Sequence, residues 1–108
     1  MADDSSPLFS SLAQDGDMIE LVQRFVDDLE KRMAAMQAAF EAHNLAEIAQ
    51  IAHQLRGTGG SHGFDVLSVA AAGLEDAVRS NESLDRVREA LAELTVLCHR
   101  ATAAPPPA

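Results

Sequence analysis

The chain lacks several features that would place it in common classes of protein. Its 108 residues include no Trp, no Tyr, four Phe and a single cysteine. The lone Cys98 cannot form an internal disulfide. No stretch reads as a signal peptide, a lipidation motif or an apolar run of transmembrane length. We therefore expect a cytoplasmic protein that does not associate with membranes.

Positive charge is also scarce. Eight Lys and Arg residues face seventeen Asp and Glu residues, which gives a net charge of −9. A nucleic-acid backbone or an anionic membrane surface would be repelled by this charge, so neither is expected as a partner. His43, His62, His99 and Cys98 show no pair with metal-ligand spacing on one helical face, so we expect no metal site.

Helical periodicity is the feature that the chain has in abundance. Apolar residues recur at steps of three and four, as in Val22, Phe25 and Leu29 of the first stretch. Asn44, followed three residues later by Glu47, is typical of a helix start, and Asp65 or Ser61 could cap the next helix. The pattern predicts four helices, over about 17–43, 44 to 61–63, 64–79 and 84–101.

Short connections between these helices predict an all-α fold, an antiparallel up-down-up-down four-helix bundle over residues 15–102. Residues 1–14 form an N-terminal segment, in which Pro7 to Ala13 are compatible with a short helix that covers one end of the bundle. Residues 103–108 are rich in Pro and Ala and are expected to be a disordered tail.

The second helix carries an unusual surface around His53. Its apolar residues gather on one side of the helical wheel and place His53 away from them, so the imidazole is expected to face water. Ala49, Gly57 and Gly60 lie one or two turns away on the same side and leave it bare. A glycine within a helix costs about 1 kcal/mol relative to alanine. We interpret these glycines as keeping the surface around the ring clear, so that a second protein can approach it.

The residues from His53 to Gly63 read HQLRGTGGSHG. They comprise a His, a Leu two positions on, a basic residue three on, and glycines four, seven and ten on. With the later pair Leu74 and Glu75 and the four predicted helices, the chain resembles the histidine phosphotransfer (Hpt) domain family over essentially its whole length. Two positions depart from the family pattern: Arg56 stands where Lys is more frequent, and His62 where the residue is usually apolar.

The resemblance implies a phosphocarrier of a two-component phosphorelay and not a small-molecule enzyme. His53 would carry a phosphoryl group reversibly between aspartates of receiver domains, in a hybrid sensor histidine kinase and a response regulator. Arg56, three residues on, would hold the phosphate oxygens. The Mg²⁺ would belong to the receiver domain, and this chain would act as a monomer without a cofactor. The remaining residues implied are Ala49, Gln54, Gly57 and Gly60 for access and docking, and Gly63 for a structural turn.

Two other functions fit a helical bundle of this kind. One is a docking or adaptor module that binds receiver domains without being phosphorylated. The other is a structural adaptor or oligomerisation domain. The intact His53 and its surrounding glycines favour the phosphocarrier. The sequence leaves open the cognate kinase and regulator, the direction of phosphate flow, the physiological output, and whether the chain is free-standing or part of a longer protein.

Overall fold

The computed structural model describes residues 6–107. Within this range the backbone forms four long helices, and two very short strands lie outside them. The elements are β1 (Leu8–Phe9), α1 (Ile19–Glu41), α2 (Leu45–Ser61), α3 (Asp65–Arg79), α4 (Leu84–Arg100) and β2 (Ala101–Thr102). In the described residues no helix is both long and apolar enough to cross a membrane.

The four helices form a ring in which each one packs against its neighbours in the chain and α1 closes against α4. The most extensive contact is that between α2 and α3. The predicted all-α four-helix bundle is therefore confirmed. Each helix turns one apolar stripe inward, as its spacing predicts. The buried side chains include those of Val22, Phe25, Leu29, Met33 and Met36 on α1, Ile48, Ile51, Ala52 and Leu55 on α2, Leu67, Ala71 and Leu74 on α3, and Val87, Leu91, Leu94 and Cys98 on α4.

The helix starts agree only in part with the prediction. The side chain of Asn44 accepts a hydrogen bond from the backbone N–H of Glu47 at 3.2 Å, so the predicted cap of α2 is confirmed. The expectation that Asp65 or Ser61 caps α3 is wrong, because Phe64 occupies the N-cap position and no side chain caps it. Phe64 is fully buried, and its ring packs in the core and stacks on Phe25. Packing of this ring therefore decides where α3 starts.

Gly63 forms the sharp turn between α2 and α3, at the position where the sequence predicts one. Its φ of 84° lies in the left-handed region, and its N–H bonds to the carbonyl of Gly60 while the N–H of Phe64 bonds to that of Gly59. This is the Schellman arrangement, which satisfies the last carbonyl groups of a helix. A Cβ at this position would also collide with Ser10 and Ser11. Glycine is therefore required here on two independent grounds.

The N-terminal segment covers one end of the bundle, but not as the helix that the sequence suggested. Leu8 pairs in parallel with Ala101, and Ser11 donates its backbone N–H to the carbonyl of Gly63 at 2.9 Å. Ser10 Oγ donates to the carbonyl of His62 at 2.6 Å. These long-range partners satisfy backbone and side-chain groups that a local helix would have satisfied internally. Residues 1–5 lie outside the described range.

The start of the C-terminal tail is ordered, in contrast to the expectation for residues 103–108. Ala101 and Thr102 form β2, and Ala103 is buried against the core. Residues 104–107 are exposed, and residue 108 lies outside the described range. Pairing with β1 holds the chain against the bundle just past α4. The ordered bundle therefore extends one residue beyond the boundary that the sequence predicts.

Candidate functional site

His53 lies in the middle of α2 and its side chain is 67% exposed. The ring projects from the side of α2 that borders α3, away from the buried residues Ala52 and Leu55. This agrees with the outward direction expected from the helical wheel. The imidazole is therefore accessible to another molecule while its helix remains held in the bundle.

Glu75 of α3 lies beside the ring of His53. Nδ1 of His53 is 3.0 Å from Oε2 and 3.3 Å from Oε1 of this carboxylate. An ionised carboxylate can only accept hydrogen bonds, so Nδ1 carries the proton and donates it to Glu75. In the neutral ring with this proton on Nδ1, the lone pair of Nε2 is the one available for reaction. The contact thus selects both the tautomer and the orientation of the ring.

Glu75 is a carboxylate in a buried position, with only 4% of the residue exposed. Besides His53 it has two cationic partners: Nε of Arg79 lies 2.7 Å from Oε2, and Nη1 of Arg56 lies 3.5 Å from Oε1. The hydrogen bond from Arg79 is the main cause that lowers the pKa of Glu75; burial opposes it, and His53 lowers the pKa further. Glu75 is accordingly ionised at neutral pH.

Close packing of α2 on α3 brings these groups together. Gly59 is buried between the helices, and a Cβ there would lie 3.2 Å from the backbone nitrogen of Ser68. Ser68 Oγ donates a hydrogen bond to the carbonyl of Arg56 at 2.5 Å, which joins the two helices one turn from His53. Small residues at this contact allow the short separation that Glu75 needs to reach His53.

The surface next to His53 is open, as the glycines suggest. Gly57 is exposed, and a Cβ built on it would meet nothing within 4 Å. Gly60 is half-buried, and a Cβ there would make ordinary contacts with Ser68 and Asp65. Gln54 is exposed, and its Oε1 accepts a hydrogen bond from Arg32 of α1 at 3.1 Å. The surface of α2 beside His53 is therefore open at Gly57.

Ala49 does not belong to this open surface, so its proposed role in access and docking is corrected. The residue is only 3% exposed. It lies one turn before His53 on the side of α2 that packs against α3, where a methyl group is small enough to be covered. A helical wheel gives the direction of a residue, but it does not say how far a neighbouring helix extends over it.

His62, the C-cap residue that follows α2, occupies a different environment. Its ring stacks on Phe25 of α1 with centroids 4.7 Å apart and planes 9° apart. Nδ1 lies 2.7 Å from the carbonyl oxygen of Thr58 and donates to it. Aromatic packing and a backbone hydrogen bond account for this ring, consistent with the absence of an assigned catalytic role.

The sequence interpretation gave no role to Glu75 or Arg79, although both belong to the group around His53. A signal for Glu75 was available. It follows Ala71 by four residues and precedes Val78 by three, so it is a charged residue at the spacing of the apolar stripe. Arg79 follows Glu75 by four residues, which is the spacing of an ion pair along one helix. Together these intervals indicate a buried carboxylate with a partner.

Comparison with known proteins places this geometry in a family. The chain matches no curated protein and no solved structure. The family model described as Hpt domain matches residues 20–104, from the second residue of α1 to just beyond β2. The match includes the exposed His53 and the carboxylate that holds it. The chain therefore belongs to the Hpt domain family, the histidine phosphotransfer modules of two-component systems.

Proposed function

We propose that this chain is a phosphocarrier in which His53 accepts a phosphoryl group from the aspartyl phosphate of one receiver domain and passes it to the aspartate of another. The donor would be a hybrid sensor kinase and the acceptor a response regulator. The single observation that carries the proposal is the exposed imidazole whose Nδ1 is held by the buried carboxylate of Glu75. That arrangement directs Nε2 outward as a nucleophile.

The transfer is a single exchange of bonds at phosphorus. The lone pair of His53 Nε2 attacks, a nitrogen–phosphorus bond forms, and the bond between phosphorus and the aspartate oxygen breaks with its electrons on that oxygen. The aspartate leaves as a carboxylate and the imidazole becomes positively charged. The proton stays on Nδ1, where Glu75 stabilises the new charge. The reverse step returns the phosphoryl group to an aspartate.

Charge neutralisation would come from both proteins. Arg56 is exposed and lies on the same side of α2 as His53, because both contact Glu75. Its guanidinium supplies two parallel N–H donors that suit phosphoryl oxygens. An acyl phosphate is an activated donor, and phosphoryl transfer depends mainly on positioning and charge. We assign the Mg²⁺ to the receiver domain, since this chain needs no cofactor for the step as written.

Docking would use the open face of α2. Gln54 and Gly57 are exposed beside His53, and Gly57 leaves open space next to the ring. A receiver domain could then bring its aspartate against the ring, and one copy of this chain supplies every group that the step requires from its side. We therefore propose a monomer as the active form.

A transfer assay tests the proposal. The chain is incubated with receiver domains carrying labelled aspartyl phosphate, and we expect label on His53 that is stable in alkali and lost in acid. His53→Gln should accept none. His99→Gln is the matched control, because His99 is exposed on α4. Label that persists in His53→Gln contradicts the proposal. Receiver binding that is equal in both variants, with no label in the wild type, indicates the non-phosphorylated docking module instead.

A further inference from the structure

The carboxylate of Glu75 has three partners, divided unequally between its two oxygens. Arg79 Nε at 2.7 Å and His53 Nδ1 at 3.0 Å both contact Oε2. Arg56 Nη1 contacts Oε1, at 3.5 Å, and is the most distant of the three. If the Arg56 side chain moved away from Glu75, the two contacts at Oε2 would therefore remain in place.

Charge counting explains why the division matters. With a neutral imidazole, the group of Glu75, Arg56 and Arg79 has one negative and two positive charges. A phosphoryl group adds a charge of about −1.5 to −2 near neutral pH. As the phosphoryl group approaches, before the ring has gained the positive charge that Glu75 stabilises, two anionic groups require cations and two guanidinium groups are present. If Arg79 were absent, one guanidinium would have to serve both the carboxylate and the phosphoryl group.

The two anions would not compete equally for that single cation. Glu75 is buried, and a buried carboxylate that loses its last cation is costly, even where the neutral ring of His53 still donates a hydrogen bond to it. The phosphoryl group on an exposed ring is hydrated and can do without a protein cation. Arg56 would consequently remain on Glu75 and the phosphoryl group would lose its ligand.

We propose that Arg79 is a positioning residue for phosphoryl transfer: by pairing with Glu75 within α3, it frees Arg56 of α2 to bind the phosphoryl group. The inference rests on the proposed function of His53. Arg79 suits this role because its pair with Glu75 spans four residues of a single helix, with the acidic residue on the N-terminal side. The ion pair between Glu75 and Arg79 therefore remains when Arg56 leaves Glu75 for the phosphoryl group.

The test measures the rate of phosphoryl transfer from a labelled receiver domain to variants of the full chain. Arg79→Gln should lower the rate roughly tenfold, as expected for the loss of one charge-assisted hydrogen bond. Arg79→Lys should restore most of it, because an ammonium group also neutralises Glu75. Arg86→Gln on α4, whose ion pairs with Glu82 and Glu89 are long at 3.8 and 3.9 Å, removes the same charge elsewhere and should transfer at the wild-type rate.

Coupling to Arg56 separates this role from a structural one. Arg56→Gln should slow transfer in the wild-type background but have much less effect when combined with Arg79→Gln, because Arg56 is already held by Glu75 there. Nitrogen NMR of His53 should show the Nδ1-protonated tautomer retained in Arg79→Gln. A wild-type rate in Arg79→Gln, equal effects of Arg56→Gln in both backgrounds, or loss of the tautomer would each overturn the inference. A wild-type chain that accepts no label would instead contradict the phosphocarrier proposal itself.

Discussion

His53 in α2 and His62, the C-cap residue just after it, lie nine residues apart and differ in exposure, in stacking and in the charge beside Nδ1. His53 is exposed, and its Nδ1 contacts a buried carboxylate that is paired with two guanidinium groups. His62 is half-buried, stacked on Phe25, and its Nδ1 contacts a backbone carbonyl. Both contacts select the Nδ1-protonated tautomer. The tautomer alone therefore does not distinguish the two rings.

The difference lies in charge and access. A carboxylate next to Nδ1 stabilises the positive charge that develops on the ring when Nε2 is phosphorylated, whereas a neutral carbonyl does so less well. The surface at His53 is also open at Gly57, while one face of the His62 ring is covered by Phe25. Changes in either environment test this interpretation.

The largest effect is expected from Glu75→Gln. A neutral amide can accept a hydrogen bond from His53 Nδ1 but does not stabilise the positively charged ring. Transfer should therefore slow by roughly 10- to 100-fold. Initial rates from a phosphorylated receiver domain measure this. Glu93→Gln, an exposed residue of α4, is the control and should transfer normally. An unchanged rate in Glu75→Gln would mean that the carboxylate does not contribute to reactivity.

Gly63→Ala tests the turn between the site helix and α3. The alanine would have to adopt a φ of 84° with its Cβ against Ser10 and Ser11, so we expect a loss of about 2 kcal/mol or more in the free energy of unfolding. Urea denaturation monitored by circular dichroism measures it. Equal stability of the variant and the wild type would show that the segment around Ser10 can move away at no cost.

His62→Ala should separate stability from function. Removing a stacked ring should cost about 1 kcal/mol of unfolding free energy, while the transfer rate to His53 stays at the wild-type value. Thermal denaturation and the transfer assay are performed on the same preparation. His62→Phe, which retains a ring for Phe25 to stack on, is the matched control for the lost contact. A slowed transfer in the phenylalanine variant would assign His62 a part in docking.

Gly57→Ala is expected to act in opposite directions on the two properties. The methyl group meets nothing within 4 Å, so the helix should gain up to about 1 kcal/mol of stability. The same methyl group projects into the open surface beside His53, so transfer should slow. The experiment compares unfolding free energy with transfer rate. If stability rises without any change in rate, the surface at Gly57 is not used by the receiver domain.

The smallest effect concerns the pH dependence of stability. Glu75 faces His53, Arg56 and Arg79, and its pKa in the folded chain is lowered from an ordinary value of 4.5. Its contribution is therefore fully present above about pH 4.5 and is lost as the pH falls through the folded pKa. The difference in unfolding free energy between the wild type and Glu75→Gln should shrink as the pH falls below about 4.5 and through the lowered pKa of Glu75. A constant difference would mean that the pKa of Glu75 is the same in the folded and the unfolded chain.

Most of the bundle follows from local spacing, and the exceptions have physical causes. Met33 and Met36 continue the apolar stripe of α1 and are buried, whereas Met18, one residue before the helix starts, is half-buried. Capping by Asn44 was predictable because it depends on a residue three positions away. The start of α3 was not, because the burial of Phe64 depends on Phe25 of another helix.

The amino-acid order by itself determined the four helices, the inward direction of their apolar stripes, the outward direction of His53 and the need for glycine at position 63. These depend on helical periodicity and on backbone conformations that neighbouring residues specify. Only the tertiary structure decided that Ala49 is covered, that the N-terminal segment pairs with the residues after α4, and that Glu75 joins His53, Arg56 and Arg79. Each of these depends on how closely two distant parts of the chain approach, and no spacing within one helix encodes that distance.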